Sequence, residues 1–118
     1  QTRCAMSQPP VSHASNALSS LSTRLRNAHS EESLCVDRLE SIDADIALLR
    51  ARIESAPPAA TQHRSIMSQR IASLLELRSS LVAERVRRRS EIEELEQRRE
   101  AISAALSVLR AKERALSR

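Results

Sequence analysis

Residues 39–58 read LESIDADIALLRARIESAPP, and this stretch carries two architectural signals. Apolar residues recur at alternating intervals of three and four: Leu39, Ile42, Ile46, Leu49 and Ile53. This spacing keeps one face of an α-helix apolar and is typical of a coiled coil. Pro57 and Pro58 then end the helix, because proline clashes with the preceding helical turn and restricts the residue before it. The stretch therefore predicts a coiled-coil helix that stops near Ala56.

The same heptad extends back to Val11 without a break. Its a positions are Val11, Leu18, Leu25, Glu32, Leu39, Ile46 and Ile53, and its d positions are Ala14, Leu21, Ala28, Cys35, Ile42, Leu49 and Ala56. Glu32 is the one charged residue among them. A pattern sustained over this length predicts a first helix over 11–56. Residues 1–10 show no periodicity and are predicted to be a flexible lead-in.

A second heptad follows the prolines. Its positions are Met67, Ile71, Leu74, Arg78, Leu81, Arg85, Arg88, Ile92, Leu95, Arg99, Ile102, Leu106, Leu109 and Leu116. The polar stretch 84–91 interrupts its apolar character, which returns at Ile92. We predict a turn over 57–64, with Thr61 as a candidate helix cap, and a second helix over 65–118.

The two heptads fit an antiparallel hairpin. Facing positions then have residue numbers that add up to 120, as in Leu39 with Leu81 and Leu25 with Leu95. The same register places Glu32 opposite Arg88 and Cys35 opposite Arg85. A parallel homodimer is the alternative, with each helix paired to its own copy. The predicted fold class is therefore all-α: a coiled coil of two long helices broken at Pro57–Pro58, forming an antiparallel hairpin, a parallel homodimer, or both.

Further apolar residues lie outside the main heptads: Leu34, Val36, Leu48, Leu75, Val82 and Val86. A lone hairpin would leave this second stripe exposed, so the sequence predicts a homodimer, with a four-helix portion as one form of it. The residues predicted to form the oligomerisation core are Leu18, Leu21, Leu25, Leu39, Ile42, Ile46, Leu49 and Ile53.

Composition argues against most catalytic folds. The chain has no Gly and no aromatic residue, although sheets and nucleotide-binding folds need many tight turns. No pattern of catalytic side chains, phosphate-binding loop or metal-ligand spacing is present, so we expect no enzyme activity, cofactor or metal. No apolar run reaches the ~20 residues that span a bilayer, and residues 1–10 lack a signal-peptide pattern. Cys4 and Cys35 suggest no disulfide framework, which favours an intracellular setting.

The net charge of +4 is concentrated in the second half, because residues 57–118 contain 13 Arg or Lys and 8 Glu. The densest basic cluster is Arg85, Arg87, Arg88 and Arg89, and a second group is Arg110, Lys112 and Arg114. We predict that these residues contact an acidic polymer, such as a microtubule; a solvated helix face is the alternative. Nucleic acid is a weaker candidate, because several glutamates follow the first cluster and would repel phosphate.

This Ser-, Ala- and Arg-rich, lysine-poor coiled coil with a basic second helix resembles the unconventional kinetochore microtubule-binding protein of kinetoplastids. The resemblance covers residues 11–118 as a pattern of composition and heptads. It implies binding to the acidic tubulin surface through the second helix, and a place at the kinetochore in the nucleus or on the cytoskeleton. The alternative function is that of a structural scaffold or dimerisation module that binds no polymer.

Overall fold

The computed structural model describes residues 10–117, which form two long helices and the turn that joins them. Helix α1 spans Pro10–Ser55 over 46 residues, and helix α2 spans Thr61–Leu116 over 56 residues. Abundant Ala, Leu, Arg and Glu favour this helix content. The described residues contain no strand. The predicted all-α hairpin is thus confirmed.

The observed helix ends differ from the predicted ones by a few residues. Helix α1 begins at Pro10 and ends at Ser55, each one residue earlier than predicted. Helix α2 begins at Thr61, four residues before the predicted start. The turn is shorter than predicted because Thr61, Gln62 and His63 are all compatible with the first helical turn. The predicted lead-in falls, apart from Pro10, outside the described residues, as does residue 118.

The turn between the helices is built without any left-handed residue. No described residue has a positive φ angle, which agrees with the absence of Gly. Ala60 N donates a hydrogen bond to Pro57 O at 3.0 Å, so Pro57–Ala60 forms a β-turn with Pro58 at its second position. A type I turn needs no positive φ and favours proline there. The two prolines therefore both end α1 and shape the reversal.

The start of α2 corrects the prediction of a threonine cap. Arg64 N donates to Ala60 O at 3.0 Å, which gives Ala60 the N-cap role and makes Thr61 the first helical residue. The Arg64 side chain also reaches back across the turn, where its Nη2 donates to Ala56 O at 2.7 Å. This bond satisfies a carbonyl that the end of α1 leaves without an intrahelical partner.

The described chain divides into two compact units, one formed by residues 30–89 and the other by residues up to 29 together with those from 90 onward. The 30–89 unit has its core between α1 and α2, where Leu39, Ile42, Ile46 and Leu81 are buried. Ile71 and Leu74 pack against them. The late part of α1 packs against the early part of α2 across the short turn between them, so the helices are antiparallel in this unit.

The other unit has a separate aliphatic core. Leu21, Leu25, Ala28, Ile92 and Leu95 are buried together, and Ile102 packs against them. Leu95 is the most buried of these side chains, at 2% exposure. Leu116, which the heptad assigned to the seam, is instead 88% exposed, because it lies in the last turn of α2.

The predicted register holds in both units. Leu25 shares a core with Leu95, and Leu39 shares a core with Leu81, so facing residue numbers add up to 120 as expected. The hydrophobic seam of the hairpin was therefore readable from heptad spacing and the position of the prolines.

Candidate functional site

The predicted basic cluster of α2 lies in the 30–89 unit, and half of it is engaged within the hairpin. Arg88 Nη2 lies 2.7 Å from Glu31 Oε2 and 3.8 Å from Glu84 Oε1. Arg89 Nε lies 3.2 Å from Glu32 Oε2. The charge match that the register predicted is present, but the partners are shifted by one residue: Glu32 pairs with Arg89, and Arg88 pairs with Glu31. The shift follows from the long arginine side chains, which reach past the directly facing position.

Arg85 and Arg87 are the other two members of the cluster, and both side chains are exposed. Among residues 10–117, no carboxylate lies within salt-bridge distance of either guanidinium. They face different sides of α2, because two helical positions differ by about 200°. The four arginines thus separate into two that hold the hairpin together and two that remain available to a partner.

Cys35, which was predicted to lie opposite Arg85, forms its hydrogen bond with the neighbouring Glu84. Its Sγ donates to Glu84 Oε2 at 3.2 Å, and the side chain is only 3% exposed. Burial, together with the hydrogen bond and the negative charge of Glu84, raises the pKa of the Cys35 thiol. A protonated, enclosed thiol is a poor nucleophile, so this side chain acts as a small core residue.

The second predicted basic group belongs to the other unit. Arg110, Lys112 and Arg114 are exposed on the last turns of α2. Arg110 and Arg114 line a shallow hollow of about 440 Å³ together with Glu113 and Ser117. Basic side chains also favour the negative end of the helix dipole, so part of this charge stabilises α2 locally.

The residues predicted as an oligomerisation core lie between the two helices of a single chain. Leu21, Leu25, Leu39, Ile42, Ile46 and Leu49 are buried there, whereas Leu18 and Ile53 are half-buried. Since these side chains are covered within the hairpin, a second copy that binds to the intact hairpin would contact other surfaces.

Several large apolar side chains lie on those other surfaces. Of the predicted second stripe, Leu34, Leu48, Leu75, Val82 and Val86 are exposed, whereas Val36 is half-buried. The structure adds Ile66, Leu77 and Val108, which the sequence reading did not single out. They share one stripe of α2 beside the seam. Most other positions of that stripe are polar, such as Arg70 and Ser73, so the sequence spacing gave no apolar signal for them.

One shallow groove in the 30–89 unit combines such apolar surface with charge. Its volume is about 320 Å³, and Arg38, Ser41, Ile42, Leu77 and Leu81 line it. On the opposite side of this unit, Asp43 lies in a second groove of about 380 Å³ that Arg50 and Leu75 also line. There Arg78 Nε donates to Asp43 Oδ1 at 2.6 Å, a hydrogen bond that raises the pKa of Arg78.

Residues 10–117 contain neither a cluster of metal ligands nor a membrane-spanning helix. No group of three or more His, Cys, Asp or Glu side chains is close enough to hold a metal ion there. Neither helix contains, within these residues, an apolar stretch long enough to cross a bilayer.

The chain was also compared with protein-family models, with curated proteins and with solved structures. None of these three comparisons finds a match.

Proposed function

We propose that the chain is a non-enzymatic binding and oligomerisation segment: a helical hairpin whose outer faces hold other protein surfaces. The observation that carries this proposal is the exposed aliphatic surface of the 30–89 unit. Seven large apolar side chains there are between 39% and 64% exposed: Leu34, Leu48, Ile66, Leu75, Leu77, Val82 and Val86. Exposed apolar surface of this kind, rimmed by charged residues, is typical of protein interaction sites.

A second copy of the chain is the partner that this proposal favours. Sedimentation velocity over a range of concentrations tests it, with interference optics because the chain lacks Trp and Tyr. We expect a dimer that dissociates on dilution. A chain that stays monomeric up to the highest attainable concentration would exclude self-association and leave binding to a different protein.

Contact with an acidic protein polymer is the second candidate function. Arg85 and Arg87 support it, since both are exposed and neither has a salt bridge within residues 10–117. Microtubules are the first polymer to test, because their surface is acidic and the sequence resembles a microtubule-binding family. Arginine suits such a surface because its guanidinium binds carboxylates with two parallel hydrogen bonds.

The test is co-sedimentation with stabilised microtubules at low and moderate salt. We expect the wild-type chain to pellet at low salt and the Arg85→Ala, Arg87→Ala variant to bind several-fold more weakly, since electrostatic binding depends on each contacting charge. The matched control is Arg24→Ala, Arg26→Ala, which removes the same charge from exposed positions of α1. Equal binding by both variants would remove Arg85 and Arg87 from the contact, and no pelleting at low salt would exclude the polymer.

A further inference from the structure

We infer that α1 pairs with α1 of a second copy, antiparallel and about a two-fold axis at Ser41, through a seam on the outside of the hairpin. This outer seam runs from Glu31 to Arg52 at alternating intervals of three and four residues. Its residues are, in order, Glu31, Leu34, Arg38, Ser41, Asp45, Leu48 and Arg52. The inference specifies the interface for the self-association proposed above and rests on that proposal.

The outer seam has the spacing of a coiled-coil contact. Its leucines, Leu34 and Leu48, are 55% and 51% exposed in the hairpin, so they remain uncovered by α2. Arg38, Ser41, Asp45 and Arg52 are exposed as well. Side chains spaced in this way follow one stripe of a helix, and a second helix can pack along such a stripe.

The order of residues along the seam is self-complementary when the second copy runs in the opposite direction. With Ser41 facing Ser41 of the other copy, facing residue numbers add up to 82, so Leu34 faces Leu48. Arg38 faces Ala44 and lies one residue away from Asp45. One further heptad outward, Glu31 lies one residue away from facing Arg52. The salt bridge between Glu32 and Arg89 within the hairpin has the same one-residue offset, which a long arginine side chain spans. The two-fold axis repeats each of these contacts, which gives two leucine pairs and four pairs of opposite charge. This is the isologous pattern that a two-fold dimer requires.

The charged residues nearest the axis are free to make these contacts. Among residues 10–117, no salt bridge holds Arg38, Asp45 or Arg52. Glu31 already lies 2.7 Å from Arg88, and a carboxylate can accept hydrogen bonds from more than one guanidinium. A parallel dimer through the same seam would place Arg38 on Arg38 and Asp45 on Asp45, so charge selects the antiparallel direction.

The groove beside the axis supports the same placement. It lies between α1 and α2, and Arg38, Ser41 and Leu77 line it. Leu77 is 50% exposed and lies next to the point where the two copies of Ser41 meet. A second α1 packed over Ser41 would cover this leucine, which adds apolar burial to the charge pairs at the centre of the contact.

Charge reversal tests the pairing. Arg38→Glu and Asp45→Arg each replace two pairs of opposite charge with two pairs of like charge, so each variant alone is expected to dimerise roughly tenfold or more weakly. The double variant Arg38→Glu, Asp45→Arg restores both pairs and should dimerise like the wild type. An equimolar mixture of the two single variants should also form dimers, because the heterodimer again has opposite charges at every contact.

The controls are Arg50→Glu and Asp37→Arg, which make the same charge changes at exposed positions of α1 outside the seam. Circular dichroism checks that all variants keep the helix content of the wild type. Weakened single variants, restored association in the double variant and in the mixture, and unchanged controls support the interface. A dimer whose association neither single variant changes overturns the interface but leaves self-association standing. A wild-type chain that is monomeric overturns both.

Discussion

Glu32 occupies an a position of the hydrophobic seam, yet its side chain is only 12% exposed. Its Oε2 atom is buried and lies 3.2 Å from Arg89 Nε, a partner that is itself 62% exposed. A charged side chain this enclosed is tolerated because a cation lies beside it. Along the same stretch of the hairpin, the Cys35 thiol donates a hydrogen bond to Glu84. The polar interruption of both heptads is thus a group of paired side chains.

We predict that the two partners of the Glu32 pair respond unequally to substitution. Arg89→Ala should lower the free energy of unfolding by about 1 kcal/mol, because Glu32 then stays enclosed without its cation. Glu32→Leu should leave stability unchanged or raise it, because leucine suits an a position and Arg89 remains largely in water. Urea denaturation followed by circular dichroism measures both. A larger loss for Glu32→Leu than for Arg89→Ala would contradict this account.

The Cys35 thiol predicts a pH dependence of stability. Its pKa is raised in the folded chain, so the folded state holds this proton more tightly than the unfolded state. Stability should therefore fall as the pH rises above the ordinary thiol value of about 8.5, and it should be unaffected near neutrality. The chain has no Tyr and one Lys, so few other groups titrate in this range. Urea denaturation between neutral and alkaline pH measures the effect, and Cys35→Ala should flatten the profile; an unchanged profile would place its cause elsewhere.

At the scale of the elements, the turn shows how a reversal forms without glycine. Two prolines end α1, a β-turn over Pro57–Ala60 reverses the chain, and Arg64 donates to the carbonyl of Ala56. Helix α2 then begins at Thr61, three residues after the second proline. Without the prolines, residues 56–60 would be a run of alanines, the residue with the highest helix propensity.

Pro57→Ala, Pro58→Ala is therefore expected to populate a continuous helix. Spin labels at Glu40 and Ser80 measure this, in a background in which Cys4 and Cys35 are replaced by Ser and Ala. The two positions face each other in the hairpin register, whereas 40 residues of continuous helix would separate them by about 60 Å. We expect a second population at the long distance. A single short distance would show that packing of the seam sets the reversal without help from the prolines.

At the scale of the molecule, residues 10–117 contain one cluster of buried aliphatic side chains in each unit. No aromatic residue contributes, so each cluster depends on a few leucines and isoleucines. A mutation in one cluster should therefore affect that unit most strongly, since cooperative units of a protein open with their own free energies.

Leu95→Ala tests this prediction. Leu95 is 2% exposed, and its truncation should cost about 2–5 kcal/mol of local stability. Amide hydrogen exchange should accelerate most in residues 10–29 and 90–117. Leu81→Ala is the matched variant, and it should act mainly on residues 30–89. Leu77→Ala is the control with little expected effect on the monomer, because this side chain is half exposed. Equal acceleration throughout residues 10–117 in both core variants would show a single cooperative unit instead.

Heptad spacing and two adjacent prolines were enough to predict the two helices and the register that a hairpin would have, because helix periodicity and proline geometry are local properties of the chain. They left a parallel homodimer open as the alternative. Tertiary structure alone showed which charges meet. Arg88 and Arg89 form salt bridges with Glu31 and Glu32, while Arg85 and Arg87 are exposed and have no salt bridge within residues 10–117. Linear sequence cannot show this, since long side chains reach beyond the facing residue and their pairing depends on distances across two helices. The packing of the two helices also leaves Leu34, Leu48 and Leu77 exposed. These are the residues that the proposed dimer would bury.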